Sequence, residues 1–229
     1  MTAIAWFLAL VAAVQTAQPA PEALQSYPPA FPRQNATKLV ETDRFVVWDI
    51  VWPKGQPSPL HRHVHDQVGT YYQAGGRAIT PLSGPTSQAT TPVGNISTTR
   101  KGTTHVEEGT TDPPLRAIFI ELKSDTPTTP GADPANSTSR AGAKQVHAED
   151  RVTVWDYTWS AGVSPIKTRY ERETVIVWLT PGNLRVSEGS GAGKAVAVKP
   201  GTMWHRQKGT VVTEELISGS PREIIFEFR

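Results

Sequence analysis

The stretch Gly55-Gln56-Pro57-Ser58-Pro59-Leu60-His61-Arg62-His63-Val64-His65-Asp66-Gln67 holds three of the six histidines in the chain. A fourth, His105, follows Gly102-Thr103-Thr104. On an extended strand residues i and i+2 face the same side, so His61 and His63 offer two imidazoles to one ion. His65 shares that face, but i and i+4 lie about 13 Å apart on a straight strand, so one ion cannot take both His61 and His65. An ion held here uses one adjacent pair and finds its other ligands elsewhere.

Around this stretch the sequence reads as strands. Phe45 to Trp52, FVVWDIVW, places Val46, Trp48, Ile50 and Trp52 on one face and Asp49 on the other, between Val47 and Val51. Pro53-Lys54-Gly55 ends it. After the histidines come a strand over Val68–Gln73, a turn at Gly75-Gly76, and a polar, loop-rich Arg77–Pro92 with one strand around Ala78-Ile79-Thr80. Gly94 opens a strand toward His105, and LRAIFIELK (Leu115–Lys123) closes the unit. Gly and Pro interrupt runs of Val, Ile, Thr, Trp and Tyr at short intervals, the pattern of an all-β protein.

With 229 residues the chain is long enough for two small domains or one large β domain. Cysteine is absent, which excludes disulfides and thiolate sites and leaves nitrogen and oxygen as metal ligands. A net charge of +2 with no Lys/Arg run speaks against nucleic acid as a partner. The apolar run Ala3–Val14 is too short to span a bilayer, and the small residues around Ala17 and Ala20 suit a cleavage site. Residues 1–20 therefore read as a signal peptide, although no basic residue precedes the run, and the expected location is secreted or periplasmic, without a stable membrane span after cleavage. Residues 21–37, with Pro28, Pro29 and Pro32, read as an extended arm on the surface of a barrel. Residues 124–143, rich in Pro, Ser, Thr, Ala and Gly, read as a linker.

The pattern of residues 38–123 returns in 144–229. Arg44-x3-Trp48-Asp49-x2-Trp52-x2-Gly55 recurs as Arg151-x3-Trp155-Asp156-x2-Trp159-x2-Gly162. Ser58-Pro59-Leu60 recurs as Ser164-Pro165-Ile166, Glu107-Glu108 as Glu214-Glu215, and AIFIELK as EIIFEFR, always 106 or 107 residues on. Two copies of one β unit are expected, packed as an internal pseudo-dimer in which each covers the other's exposed sheet face.

These residues resemble the cupin family. The family's first motif, Gly-x5-His-x-His with a following Glu and Gly, stands here as Gly55-QPSPL-His61-Arg62-His63-VHD-Gln67, with Gly75 one residue late. The second stands as Gly94-NISTT-Arg100-Lys101-Gly102-TT-His105-VEE-Gly109. Gln67 replaces the motif's Glu, Arg100 its Pro and Gly109 its Asn. The resemblance covers both copies and implies a bicupin: two cupin-type double-stranded β-helix (jelly-roll) barrels. It also implies one divalent transition metal (Fe, Mn, Ni, Cu or Zn) held by His61, His63 and His105, with Gln67 at the carboxylate position. Neutral imidazoles suit these ions. A neutral Gln leaves the full charge on the metal and favours a small anionic ligand in the open position.

The second copy is expected to lack the site, with Lys167, Arg169, Glu173 and Val212 at the matching positions and an internal salt bridge among the charged ones. Weak candidates for catalysis are Asp66, Tyr71 and Tyr72. The recurring tryptophans read as core or interface, and Glu107 as structural, since it recurs without the histidines. The leading expectation is an exported metal-dependent protein acting on or binding a small oxyanionic molecule, with oxidoreductase-type chemistry foremost among the dioxygenase, decarboxylase, lyase and isomerase reactions such a site supports. The alternatives are a non-enzymatic metal- or ligand-binding module and an envelope protein with a vestigial site. Homo-oligomers are compatible with either.

Overall fold

The computed structural model describes residues 26–123 and 140–229. The expected signal peptide and most of the expected linker lie outside them. Every described element is a strand, and no described helix is long and apolar enough to cross a membrane.

The alternation in FVVWDIVW becomes the architecture. In β2 (Phe45–Trp52), Val46, Trp48, Ile50 and Trp52 enter a barrel interior, while Phe45 and Val47 face the other half of the molecule. One five-stranded sheet of the first half runs β1 (Ala36–Glu41), β2, β9 (Leu115–Leu122), β4 (Asp66–Gln73), β7 (Ile96–Thr99). Its four-stranded companion runs β3 (His61–Arg62), β8 (Thr104–Gly109), β5 (Gly75–Pro81), β6 (Ser87–Thr91). The second half has the same two orders. Its five-stranded sheet runs β10 (Lys144–Glu149), β11 (Val152–Thr158), β18 (Arg222–Phe228), β13 (Thr174–Trp178), β16 (Met203–Arg206). Its four-stranded sheet runs β12 (Ile166–Arg169), β17 (Val211–Gly219), β14 (Gly182–Glu188), β15 (Lys194–Val198). The fold is all-β, two jelly-roll barrels packed as an internal pseudo-dimer.

The expected turn at Gly75-Gly76 is instead the start of β5. Both glycines serve close approach: a Cβ on Gly75 would lie 2.7 Å from the Leu115 nitrogen, and one on Gly76 2.3 Å from Thr110 Oγ1. The strand β6, SQATT, sits at a sheet edge with almost every side chain exposed, so it carries no apolar alternation to read.

The barrels meet through the outer faces of their five-stranded sheets. Phe45, Val47, Val68, Ile118, Ile120 and Leu122 of the first pack with Val152, Val154, Val175, Val177, Ile224, Phe226 and Phe228 of the second as one buried cluster. The rim is reciprocal: Arg44 donates to the Arg229 carbonyl, and Arg151 donates to the Leu122 carbonyl at 3.5 Å.

The shared cluster makes the halves one cooperative unit. Phe226→Ala, at a fully buried interface position, is expected to lower the stability of the whole chain by about 3–5 kcal/mol. In urea, circular dichroism and tryptophan fluorescence should follow one coincident transition. Two resolved transitions would show that the barrels unfold separately.

Candidate metal centre

Strand pairing brings the histidines together. β3 pairs with β8 so that His61 stands opposite His105. His63 lies just past β3, fixed by its N–H donating to the Thr103 carbonyl at 2.9 Å and its carbonyl accepting from Gly102 N–H at 2.8 Å. That clasp needs the left-handed turn at Gly102, where φ is +88°. The three rings are 2%, 3% and 6% exposed for His61, His63 and His105. Their centroids lie 4.8–5.2 Å apart.

The nitrogens converge. His63 Nε2 and His105 Nε2 are 3.1 Å apart, and one ligand atom from each of the three rings lies within 4.8 Å of the others. Two nitrogens bound at ~2.1 Å and at right angles would be about 3.0 Å apart. His61 Nδ1 donates to the Pro59 carbonyl at 2.9 Å, since that oxygen only accepts. Its Nε2 therefore carries the lone pair, buried and without a partner. Burial is the largest influence on all three rings and favours the uncharged form. It lowers His61, takes His63 to about 3 with help from neighbouring His105, and takes His105 to about 4 against the pull of Glu107. Three neutral, convergent imidazoles with an orphaned nitrogen are a donor set that fits a divalent transition ion.

Beside them lies a carboxylate whose recurrence without the histidines marks it as structural. Glu107 Oε1 is 3.9 Å from His105 Nε2. Arg77 holds that oxygen at 2.5 Å, and Arg33 and Trp52 hold Oε2 at 2.7 and 3.2 Å. Burial alone pushes this carboxyl up, but Arg77 and Arg33 outweigh it and hold it well below the carboxylate range. Arg33 comes from the expected surface arm, and here the expectation is corrected. Ala30 N–H donates to the Arg62 carbonyl, Arg62 N–H donates to the Pro28 carbonyl, and Phe31 stacks on Trp48 at 4.7 Å. The arm thus extends the sheet edge at β3 and puts Phe31 and Arg33 inside, because a face of Trp48 and an ionised Glu107 need covering. The signal was present: Arg33 recurs 107 residues on as Arg140, just as Glu107 recurs as Glu214.

The remaining candidates separate by strand parity. Gln67 and Tyr71 share the inner face of β4. Gln67 is buried with its Nε2 unpartnered, and the Tyr71 hydroxyl accepts from Arg77 at 2.9 Å. Glu121, cross-strand from Gln67, accepts from Trp48 Nε1 at 2.8 Å, and burial raises its pKa. Asp66 and Tyr72 face the other way and are corrected: neither reaches the triad. Asp66 pairs with Arg151 and accepts from Lys101 N–H at 2.7 Å. Tyr72 donates to Asp49 at 2.6 Å and packs in the inter-barrel cluster. Since Gln67 points inward, its neighbour Asp66 has to point outward. His65 is not among the convergent ligands.

Among the described residues the second barrel brings no such triad together, but the equivalent positions differ from those expected. β12 and β17 pair Thr168 with Val212, and Tyr170 makes with Thr210 and Gly209 the clasp that His63 makes with Thr103 and Gly102. Thr168, Tyr170 and Val212 thus stand where His61, His63 and His105 stand, and Thr174 stands where Gln67 stands. Lys167 and Arg169 are exposed, Arg169 pairs with Glu171 at 3.1 Å, and Glu173 pairs with His205 at 2.9 Å. The Ser164-Pro165 match misleads by one residue, because the backbone keeps the 107 spacing from Gly162 to Thr168. The buried salt bridge of this barrel is made by Arg140 with Glu214 at 2.6 Å and with Glu223, all nearly unexposed. Arg140 falls in the expected linker, yet it is a core residue.

No protein-family profile and no curated protein matches the sequence. Solved structures do. A cupin 2 conserved barrel domain protein from Leptotrichia buccalis is 12% identical, with a TM-score of 0.59, over 85% of this chain and 88% of that one. Salicylate 1,2-dioxygenase from Pseudoaminobacter salicylatoxidans, in complex with gentisate, is 12% identical with a TM-score of 0.61, over 84% and 73%. Oxalate decarboxylase from Lactobacillus farciminis, in a formate complex, is 10% identical with a TM-score of 0.54, over 85% and 83%. At these identities the likeness is one of fold: the chain is built as two barrels of the cupin fold.

Proposed function

We propose that the chain is an exported bicupin whose first barrel holds one divalent transition ion and binds a small oxyanionic molecule for oxidoreductase-type chemistry. The observation that carries this reading is the set of three buried, uncharged imidazoles with converging nitrogens and an orphaned His61 Nε2. His61, His63 and His105 would hold the ion, with Gln67 on the same barrel interior as a fourth, neutral oxygen. When bound, the ion supplies Lewis acidity toward an oxygen ligand.

The chain's own charges favour an anion. Arg33 and Arg77 bring two buried guanidiniums against the carboxylate of Glu107, burial raises Glu121 toward its uncharged form, and the histidines are neutral. A net positive interior of low dielectric attracts a small carboxylate or enolate more strongly than water would allow. Tyr71, anchored by Arg77, offers a hydroxyl whose proton burial holds in place, so it can donate a hydrogen bond to such a ligand. Gentisate and formate, the molecules bound in two structural neighbours, are of this chemical kind.

A second reading has its own support. The three histidines are almost wholly shielded, and Phe31 and Arg33 of the arm pack over the barrel interior. This favours a module that keeps its metal without turning over a substrate.

Elemental analysis of protein purified without tag or chelator is expected to find one transition-metal ion per chain. His61→Ala or His105→Ala should lose it while retaining the circular dichroism of the fold. Lys167→Ala and Arg169→Ala should keep it. Unchanged metal in His105→Ala would end the ligand assignment. A loaded protein inert toward small carboxylates with oxygen would leave the second reading.

Metal-free protein should also show the protons the histidines refuse. His63 and His105 titrate near 3 and 4 when folded and near 6.5 when unfolded, so the unfolded state binds more protons as pH falls. Stability is expected to be level above about pH 6.5 and to decline from there toward pH 4.5, before ordinary carboxylates titrate. Urea midpoints across that window should flatten in a His63→Gln/His105→Gln double variant. An unchanged slope would place the proton uptake elsewhere.

A further inference from the structure

The second barrel carries a cavity of its own, of about 470 Å³, lined by Val186, Glu188, Lys194, Val196, Trp204 and Arg206. It opens at the seam where β15, the edge of one sheet, approaches β16, the edge of the other. Val186 and Trp204 pack against the barrel's apolar core, so the cavity is the mouth of the barrel interior. Its size is that of small-molecule sites, which span roughly 300–1,000 Å³.

The fold does not require these side chains. Register gives the corresponding residues of the first barrel: Pro81 for Glu188, Ser87 for Lys194, Ser97 for Trp204 and Thr99 for Arg206. The same strands close there with small or uncharged residues. The indole, the ammonium, the guanidinium and the carboxylate are additions peculiar to the second mouth.

Their chemistry selects a ligand. Trp204 and the two valines give an apolar wall broad enough for one ring face. Arg206 lies over the Trp204 ring at 4.9 Å, donates to Glu188 at 3.2 Å, pairs with buried Glu214 at 3.6 Å, and buries an Nε–H with no partner. Lys194 is exposed at the rim and forms no ion pair among the described residues. Lys194 is therefore the free cationic donor for a carboxylate, and Arg206, shared between Glu188 and Glu214, adds the partly exposed edge of its guanidinium. Glu188, two-thirds exposed, repels a second carboxylate and accepts from hydroxyls instead. We infer that the mouth of the second barrel binds a sugar acid of monosaccharide size, its ring against Trp204, its carboxylate toward Lys194 and Arg206, and its hydroxyls toward Glu188. This site is independent of the metal reading.

Isothermal titration of the metal-stripped full chain with glucuronate, glucose and benzoate tests it. One glucuronate per chain is expected, with glucose and benzoate at least about tenfold weaker, since each lacks one recognised group. Lys194→Met should weaken glucuronate about tenfold by removing a charge-assisted hydrogen bond, and Trp204→Leu should abolish it. Because Trp204 also touches the core, the exposed Lys194 variant keeps the test valid if Trp204→Leu fails to fold. Absence of binding at about 10 mM, weaker than the millimolar end of useful affinity, would overturn the inference. So would equal affinity for glucose or benzoate, or an unchanged affinity in Lys194→Met.

Discussion

Burying an imidazole lone pair without a partner costs about 1–3 kcal/mol, and the first barrel does this at His61 Nε2. Among the described residues nothing offers this atom a donor. The backbone nevertheless fixes the triad: the His61–His105 register, the Pro59 carbonyl on His61 and the Gly102–Thr103 clasp on His63 all hold the rings in place. A cluster so positioned and so unsatisfied is preorganised for something that accepts lone pairs, which is what a divalent ion does. The pressed-down histidine pKa values are the same fact seen from the proton's side: the site refuses protons and leaves its lone pairs available.

The two barrels solve one problem in two ways. Each has a segment before its first strand that sends an arginine inward, Arg33 or Arg140, to a buried glutamate, Glu107 or Glu214. Each also pairs an interior tryptophan with a glutamate of its last strand, Trp48 with Glu121 and Trp155 with Glu227. Around this common frame the first barrel places three histidines. The second places Thr168, Tyr170 and Val212, and adds Glu223 to the arginine's partners. For buried ion clusters the desolvation cost can exceed the Coulombic gain, so the second barrel's polar interior is a framework rather than an energetic asset. Its functional novelty lies at the mouth.

Much of this was legible in the sequence. The alternation of FVVWDIVW assigned Trp48 and Trp52 to one face, strand parity paired His61 with His63, and the resemblance to the cupin motifs added His105. Strand parity also puts Asp66 on the face opposite Gln67. What stayed hidden had physical reasons. β6 is a polar edge strand with no periodic signal. Phe31 and Arg33 sit among prolines that read as surface, and their burial depends on Trp48 and Glu107, which are distant in sequence. The one-residue slip between the halves was invisible because Ser164-Pro165 imitates Ser58-Pro59, and only hydrogen-bond register distinguishes Thr168 from Lys167 as the partner of His61.

The chemistry proposed for the first barrel requires the three imidazoles to act together on one ion. X-ray absorption fine structure at the edge of the bound metal tests it most directly. Three nitrogens at about 2.0–2.1 Å, with the outer-shell scattering of imidazole rings, are expected around the ion. A shell of oxygens alone, or one with a single imidazole, would contradict it, since the ion would then sit at a surface histidine or carboxylate and not in the barrel.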